Sequence, residues 1–239
     1  MITTGFFILI MIISYFVIFP IYLILWLFTF WFDKQRFIVH RFTCVWASLL
    51  TILMLGWRIK ILGRKNLNSK GSKVIVCNHQ SLIDIPILYR LRKNFKFISK
   101  ATVFKVPFIG WVMYLNKYIG IERGTIKSMT KMMQDCADNL ERGSSILIFP
   151  EGTRSEDGKL KPFKTGAFSL AKDNQKSIVP VIIKGTADLL TKNTLKMKPF
   201  KKITVKALEE IPYDTIKDKP LIDIVNSVYG LMSEELEKL

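Results

Sequence analysis

The sequence predicts an α/β fold: a mixed, largely parallel sheet flanked by helices, preceded by an N-terminal hydrophobic two-helix membrane hairpin. Three observations carry that expectation. From Met1 to Phe32 there is no charged side chain, and the first is Asp33. From Arg58 onward, short β-rich runs alternate with helical ones, the pattern of layered α/β architecture. The side chains suited to catalysis fall just past the ends of several of those runs, where open α/β sheets gather their ligand sites.

With 239 residues, 49% apolar and 12% aromatic, the chain is too hydrophobic to be disordered and long enough for one domain plus an appendage. The expected division is a membrane-associated helix pair over 1–57 and a catalytic domain over 58–239. Residues Phe6 to Phe32 exceed the roughly 20 apolar residues a bilayer crossing needs. Pro20 should kink that helix, because it lacks an N–H and its ring crowds the preceding turn. A removable secretory signal would open with a basic stretch and close on a small-residue cleavage site; neither pattern is visible, so no cleavage is expected.

A second apolar stretch, Phe42 to Trp57, follows the polar link Asp33, Lys34, Gln35, Arg36. It is marginal for a full crossing. Between Asp33 and Lys73 nine Lys or Arg stand against one Asp, the bias of a cytoplasmic side. A fully spanning hairpin would carry Lys34 and Arg36 to the opposite side, against that bias. The expectation is therefore a helix pair that dips into one leaflet, or one crossing followed by a surface helix. Trp26, Trp31, Trp46 and Trp57 suit an interfacial belt or packing between the two helices. His40, beside Arg41, reads as interfacial, with nothing paired to it at a motif spacing.

A net charge of +17 and a pI near 9.8 call for an anionic partner: nucleic acid, anionic lipid or a phosphorylated substrate. Basic residues near a bilayer contribute about 1 kcal/mol each through anionic headgroups. A nucleic-acid partner would require a reading module, and the sequence shows none, so lipid is favoured. The lysines around Pro199, from Lys192 to Lys202, serve as a solvated face or a lipid contact equally well. Cys44, Cys77 and Cys136 have no C-x-x-C spacing, so neither a disulfide framework nor a metal site is expected.

In chain order the β-rich runs are Arg58 to Leu62, Lys73 to Cys77, Lys96 to Ser99, Tyr118 to Ile121, Ser145 to Phe149, Ile178 to Ile183 and Ile203 to Ala207. Helical stretches are Ile85 to Arg92, Ile126 to Arg142 closed by Gly143, Thr165 to Asp173, and Leu221 to Leu239. Three strand ends then present chemistry: Asn78, His79 and Asp84 after one, Glu122 and Arg123 after another, and Pro150, Glu151, Gly152, Thr153 and Arg154 after a third.

"CNHQSLIDIP" admits two readings. Ser81 followed three positions later by Asp84 approximates a capping box, which would make Asp84 a first-turn acid and His79 a loop residue. The catalytic reading needs Asp84 to hold His79 in one tautomer while its other nitrogen takes a proton. Five positions apart on a regular helix the two would diverge by about 140°, so they meet only if the chain turns between them. Cys77 lies on the same strand face as His79, which raises a Cys-His acyl-enzyme; core packing explains an isolated Cys equally.

"NHQSLID" (Asn78 to Asp84) and "FPEGTRS" (Phe149 to Ser155) resemble the N-H-x-x-x-x-D and F-P-E-G-T-R-S signatures of the 1-acylglycerol-3-phosphate acyltransferase family. "KATVFKVPFIGW" with "IGIERG", and "IVPVIIKGT", are similar to its other two blocks. The resemblance covers roughly Lys73 to Thr186. It implies that His79 is the general base and Asp84 its orienting partner. It also implies that Arg123 and Arg154, helped by Lys100, bind phosphate, and that Glu151, Gly152 and Thr153 belong to the acceptor site. Lys100, Ala101, Thr102, Val103 depart from the family's Lys-x-Glu-Leu, which puts the acceptor headgroup in question.

The implied activity is transfer of a fatty acyl chain from acyl-CoA or acyl-carrier protein to the sn-2 hydroxyl of 1-acylglycerol-3-phosphate, giving phosphatidate. The implied place is the cytoplasmic face of the cell inner membrane. Thioester and alcohol exchange without redox change, so no metal or cofactor is expected beyond the acyl carrier. Two alternatives stay open: the same chemistry on another lysophospholipid, and a basic membrane-anchored binding protein without turnover.

Overall fold

The structure, a computed structural model, describes residues 2–54, 56–122, 124–155, 157–189 and 197–239. Its centre is a seven-stranded sheet of β1 (Arg58–Leu62), β2 (Val74–Cys77), β3 (Phe95–Lys100), β4 (Ile119–Ile121), β5 (Ser145–Ile148), β6 (Ile178–Lys184) and β7 (Lys202–Ala207). The order is β1-β7-β6-β2-β5-β3-β4. Every pairing is parallel except β6 with β7. All seven expected runs are strands, with no end displaced by more than one residue.

Alternation along β2 divides the core. Val74 and Val76 face one hydrophobic layer, where α6 (Ile126–Glu141), α7 (Gly166–Asp173) and α8 (Leu221–Glu237) contribute Cys136, Phe168 and Val228. Ile75 and Cys77 face the other, built with Ile87 and Leu88 of α4 (Asp84–Leu88) and Cys44 and Ala47 of α3 (Phe37–Leu53). Strands covered on both faces become continuous apolar runs, which is why "VIVC" and "VIIK" read so clearly.

At the N-terminus α1 (Ile2–Ile13) passes through a π-helical turn, Ser14–Ile18, into α2 (Phe19–Thr29). Gly5–Thr29 is 25 residues long and apolar enough to cross a membrane by length and composition. The irregularity expected at Pro20 takes the form of that π turn. Pro20 has no N–H to offer, and a wider turn just before it absorbs the break.

α3 starts earlier than the apolar stretch suggested, because Asp33 caps it: its two carboxylate oxygens accept the N–H groups of Phe37 and Ile38, each at 2.8 Å. The link rests on the sheet layers. Lys96 Nζ donates to Gln35 O at 2.7 Å and to Asn116 O at 2.8 Å; Lys117 Nζ donates to Lys34 O at 3.2 Å. A hairpin whose tip crosses a bilayer away from the sheet is incompatible with these bonds.

His40 departs from its expected interfacial place. It is buried, and its Nε2 donates to Lys93 O at 3.0 Å while Nδ1 meets the Tyr118 hydroxyl at 3.0 Å. These partners lie 53 and 78 positions away, too far for any motif spacing to show.

Lys96 gives a stability prediction. Burial, reinforced by Lys117 and Arg36 and opposed by Asp33, pulls its ammonium from the ordinary 10.5 down to about 7. Between those values the unfolded chain binds more protons at this site, so stability rises with pH there. Below about 7 both states are charged and the slope vanishes. Relative to a Lys96→Met variant, the wild type should gain unfolding free energy from about pH 7 to about pH 10. Denaturant titrations at several pH values measure this, and parallel profiles would refute it.

Candidate active site

β2, β5, β3, β4 and β6 direct their carboxyl ends to one edge of the sheet, and the motif residues collect there. At the end of β2, Asn78 continues the ladder with its side chain: Oδ1 accepts Ile183 N–H at 2.8 Å and Nδ2 donates to Ile183 O at 2.9 Å. The chain then turns before α4. The turn closes the five-residue gap, and His79 Nδ1 lies 2.8 Å from Asp84 Oδ2.

Hydrogen bonding fixes the tautomer. Asp84 Oδ2 also accepts the N–H groups of Gln80 at 2.7 Å and Ser81 at 2.9 Å, and Oδ1 accepts Thr186 Oγ1–H at 2.6 Å. An acceptor-only carboxylate obliges His79 Nδ1 to donate. Nε2 is thereby left with a lone pair. Asp84 is fully buried, whereas the His79 side chain keeps 17% exposure, so the imidazole has one side toward solvent. Its ring stacks on Phe149 at 4.0 Å and 20°.

The two motif loops clasp each other through the His79 backbone. Glu151 Oε1 accepts His79 N–H at 2.9 Å, and Ser155 N–H donates to His79 O at 2.7 Å. Glu151 Oε2 accepts Lys161 N–H at 3.1 Å. Burial raises the Glu151 carboxyl above the ordinary range, against the lowering effect of these two backbone donors. Glu151 therefore turns inward, onto the protein's own backbone. Gly152 has φ 70°, and a Cβ there would stand 3.1 Å from Lys164 Cε; the left-handed conformation and the close lysine both select glycine.

Thr153 and Arg154 are exposed beside this clasp. The Arg154 side chain has no hydrogen-bond or ion-pair partner among the described residues. Lys100 is at the end of β3, two strand spacings or ~10 Å from β2, in a cleft of about 400 Å³ lined also by Ala101, Thr102, Lys105, Ile121 and Glu122. Arg123 lies outside the described residues.

Thr186 and Gln80 carry no signal of their own in the sequence. Thr186 is brought behind Asp84 by β6; Gln80 Oε1 accepts its N–H at 3.3 Å and lies 3.2 Å from its Oγ1, whose proton goes to Asp84. The one available hint was the "IVPVIIKGT" block that ends on Thr186.

Cys77 is fully buried, with Sγ 3.2 Å from Asn78 O, and burial, with the charges of Asp84 and Glu151, pushes its thiol well up. It is placed as a core residue. Cys77→Ala should leave any acyl transfer within about twofold of wild type while lowering stability by ~1 kcal/mol through the small cavity. Trapping of a labelled acyl group on Cys77 would overturn this.

As an arrangement, the edge offers a part-exposed, single-tautomer imidazole whose second nitrogen has no hydrogen-bond partner among the described residues, an exposed guanidinium one residue from the clasp, and a lysine-bearing cleft two strands away. Such parts can deprotonate a hydroxyl beside an anion.

Residues 58–184 match the family described as Acyltransferase. The chain is 42% identical over 161 residues to a 1-acyl-sn-glycerol-3-phosphate acyltransferase of Chlamydomonas reinhardtii, over 66% of this chain and 48% of that protein. Against the 1-acyl-sn-glycerol-3-phosphate acyltransferase of Saccharomyces cerevisiae it is 35% identical over 143 residues, 58% of this chain and 47% of that one. The chain spans about half the length of the curated relatives it matches. A crystal structure of the 1-acyl-sn-glycerophosphate acyltransferase PlsC from Thermotoga maritima superposes with a TM-score of 0.79 at 22% identity, covering 100% of this chain and 96% of that one. That likeness establishes a shared fold.

Proposed function

This chain belongs to the Acyltransferase family, and on that premise we propose that it moves a fatty acyl chain from a thioester, acyl-CoA or acyl-carrier protein, to the sn-2 hydroxyl of 1-acylglycerol-3-phosphate, forming phosphatidate. The observation that carries the reading is the His79–Asp84 bond, which leaves the lone pair of Nε2 to act as a base on a part-exposed imidazole.

In this mechanism Nε2 takes the hydroxyl proton as the oxygen attacks the thioester carbonyl. Asp84 stabilises the imidazolium so formed. Collapse of the tetrahedral adduct breaks the carbon–sulfur bond, and the proton passes from Nε2 to the departing sulfur, whose thiol pKa is near 8.5. Glu151 and Ser155 act on the reaction by fixing the His79 backbone between them. The acceptor phosphate is assigned to Arg154, with Lys100 and Arg123 as further cations. Arg presents a planar fork to phosphate oxygens, and Lys a point charge.

The apolar helix Gly5–Thr29 is assigned to the bilayer, with the sheet on the cytoplasmic side of the cell inner membrane, the side its basic link favours. A lysolipid rests in the bilayer with its headgroup in water. A site held at that level meets the headgroup without extracting the chain.

Thr102 in the Lys100 cleft favours a second reading, the same transfer onto another lysophospholipid. Purified protein in lipid, supplied with labelled acyl-CoA and acyl-carrier protein donors and a panel of lysolipids, distinguishes the acceptors. Absence of transfer from either donor to every acceptor sinks both readings. Arg154→Ala should lower kcat/KM for lysophosphatidate about 10- to 100-fold, the loss of a charged hydrogen-bonding partner. Acceptors with a capped phosphate should change little. Equal losses on both would remove Arg154 from the phosphate site.

A further inference from the structure

The connection between β3 and β4 differs from the other surfaces of the sheet. Ala101 to Asn116 contains one charged residue, Lys105, and no acidic residue occurs from Ala101 to Ile121. Its helix α5 (Ile109–Leu115) is held tightly from inside: a Cβ on Gly110 would stand 2.0 Å from Phe104 O, and Met113 is buried. Its outer face is apolar and open, with Val106, Ile109 and Trp111 each 42% exposed and Tyr114 77% exposed. Exposed apolar surface of this kind marks an interaction site.

This surface is continuous with the apolar helix of the N-terminus. Tyr15 lies 6.0 Å from the Trp111 ring, and Phe19 lies 5.9 Å from Phe108 and 5.3 Å from Trp111. Phe108 adopts φ 64°, a left-handed conformation costly for an aromatic residue, and these ring contacts accompany it. The charges within and directly flanking Ala101 to Asn116, namely Lys100, Lys105 and Lys117, are all positive, and the nearest acid in sequence, Glu122, lines the Lys100 cleft. An acid-free apolar face with a basic rim complements an anionic headgroup layer over hydrocarbon.

We propose that the α5 face is a second membrane contact, inserting Ile109, Trp111 and Tyr114 into the headgroup–acyl boundary of an anionic bilayer beside the N-terminal helix. Two contacts fix the tilt of the sheet where one helix would leave it free to swing. Lys105 borders the inserted face and also lines the Lys100 cleft. That orientation therefore opens the cleft at headgroup level. The inference rests on the bilayer assignment of Gly5–Thr29 made above.

All three native cysteines are buried, so a nitroxide can be attached to a single introduced thiol in the full chain. Tyr114→Cys is compared with Ile222→Cys, 55% exposed on α8 across the sheet, on vesicles of phosphatidylglycerol and phosphatidylcholine. The expected result is a Tyr114 label reached by oxygen and shielded from a water-soluble nickel chelate, with the reverse at Ile222. A Tyr114 label as open to nickel as Ile222, on protein that sediments with the vesicles, overturns the second contact and leaves the helix assignment standing. Failure to sediment overturns both.

Shielding of the Tyr114 label without vesicles, at doubled mass in solution, assigns the face to a second copy and also overturns the proposal. Ile109→Ser with Tyr114→Ser should weaken vesicle partitioning about tenfold. Transfer to a short-chain, water-soluble lysophosphatidate should be unchanged, which reports the catalytic reading separately.

Discussion

His79→Ala should lower the rate of acyl transfer to lysophosphatidate about a thousandfold, within the range a positioned general base contributes. The KM for the acceptor should stay within a few-fold, because the phosphate contacts are assigned to other residues. The fold should survive. Without the imidazole, buried Asp84 still accepts Gln80 N–H, Ser81 N–H and Thr186 Oγ1–H, so no orphaned carboxylate remains. Steady-state kinetics in mixed micelles, with thermal melting as the control for folding, make the comparison. A rate within tenfold of wild type in a folded variant would remove His79 as the base.

Asp84→Asn is the second large effect, and hydrogen bonding decides its form. The amide must place its oxygen where Oδ2 accepts from Gln80 N and Ser81 N, both short contacts to backbone donors that cannot move far. Its NH2 then faces Thr186 Oγ1, which can accept as well as donate. His79 Nδ1–H keeps a partner and the tautomer is retained, but the negative charge opposite the developing imidazolium is lost. A roughly hundredfold fall in kcat with little change in KM is expected. An Asp84→Asn enzyme of near wild-type rate would mean that the carboxylate only caps α4, the role a first-turn acid would have.

The strands were legible because β2, β5 and β6 are covered on both faces, and burial on both faces writes itself as unbroken apolar runs. The α5 segment was less legible. Its residues are apolar on the open side as well as the packed side, so no helical stripe distinguishes a surface from an interior. Local pattern alone places His40 at an interface and Lys96 in a strand. Their partners, Lys93 O with Tyr118 and Gln35 O with Asn116, come from other elements of the fold. The spacing likewise shows that a carboxylate, Glu151, follows β5, and leaves open which backbone donors it turns toward, here His79 N–H and Lys161 N–H.

The sequence by itself determined the order of strands and helices, the apolar N-terminal helix, and the presence of an imidazole and a carboxylate astride a strand-to-helix turn. These are local properties, set by periodicity, charge and the conformational limits of a few neighbouring residues. Tertiary structure alone decided that Nδ1 of His79 is the donor and Nε2 is free, that Glu151 and Ser155 hold the histidine backbone, that Thr186 closes the cage around Asp84, and that the link between the N-terminal helices rests on the sheet. Apart from the His79–Asp84 bond, which spans five residues, each of these depends on a hydrogen bond between residues dozens of positions apart. Such a bond is chosen by the geometry of the packed sheet, which no short stretch of chain encodes.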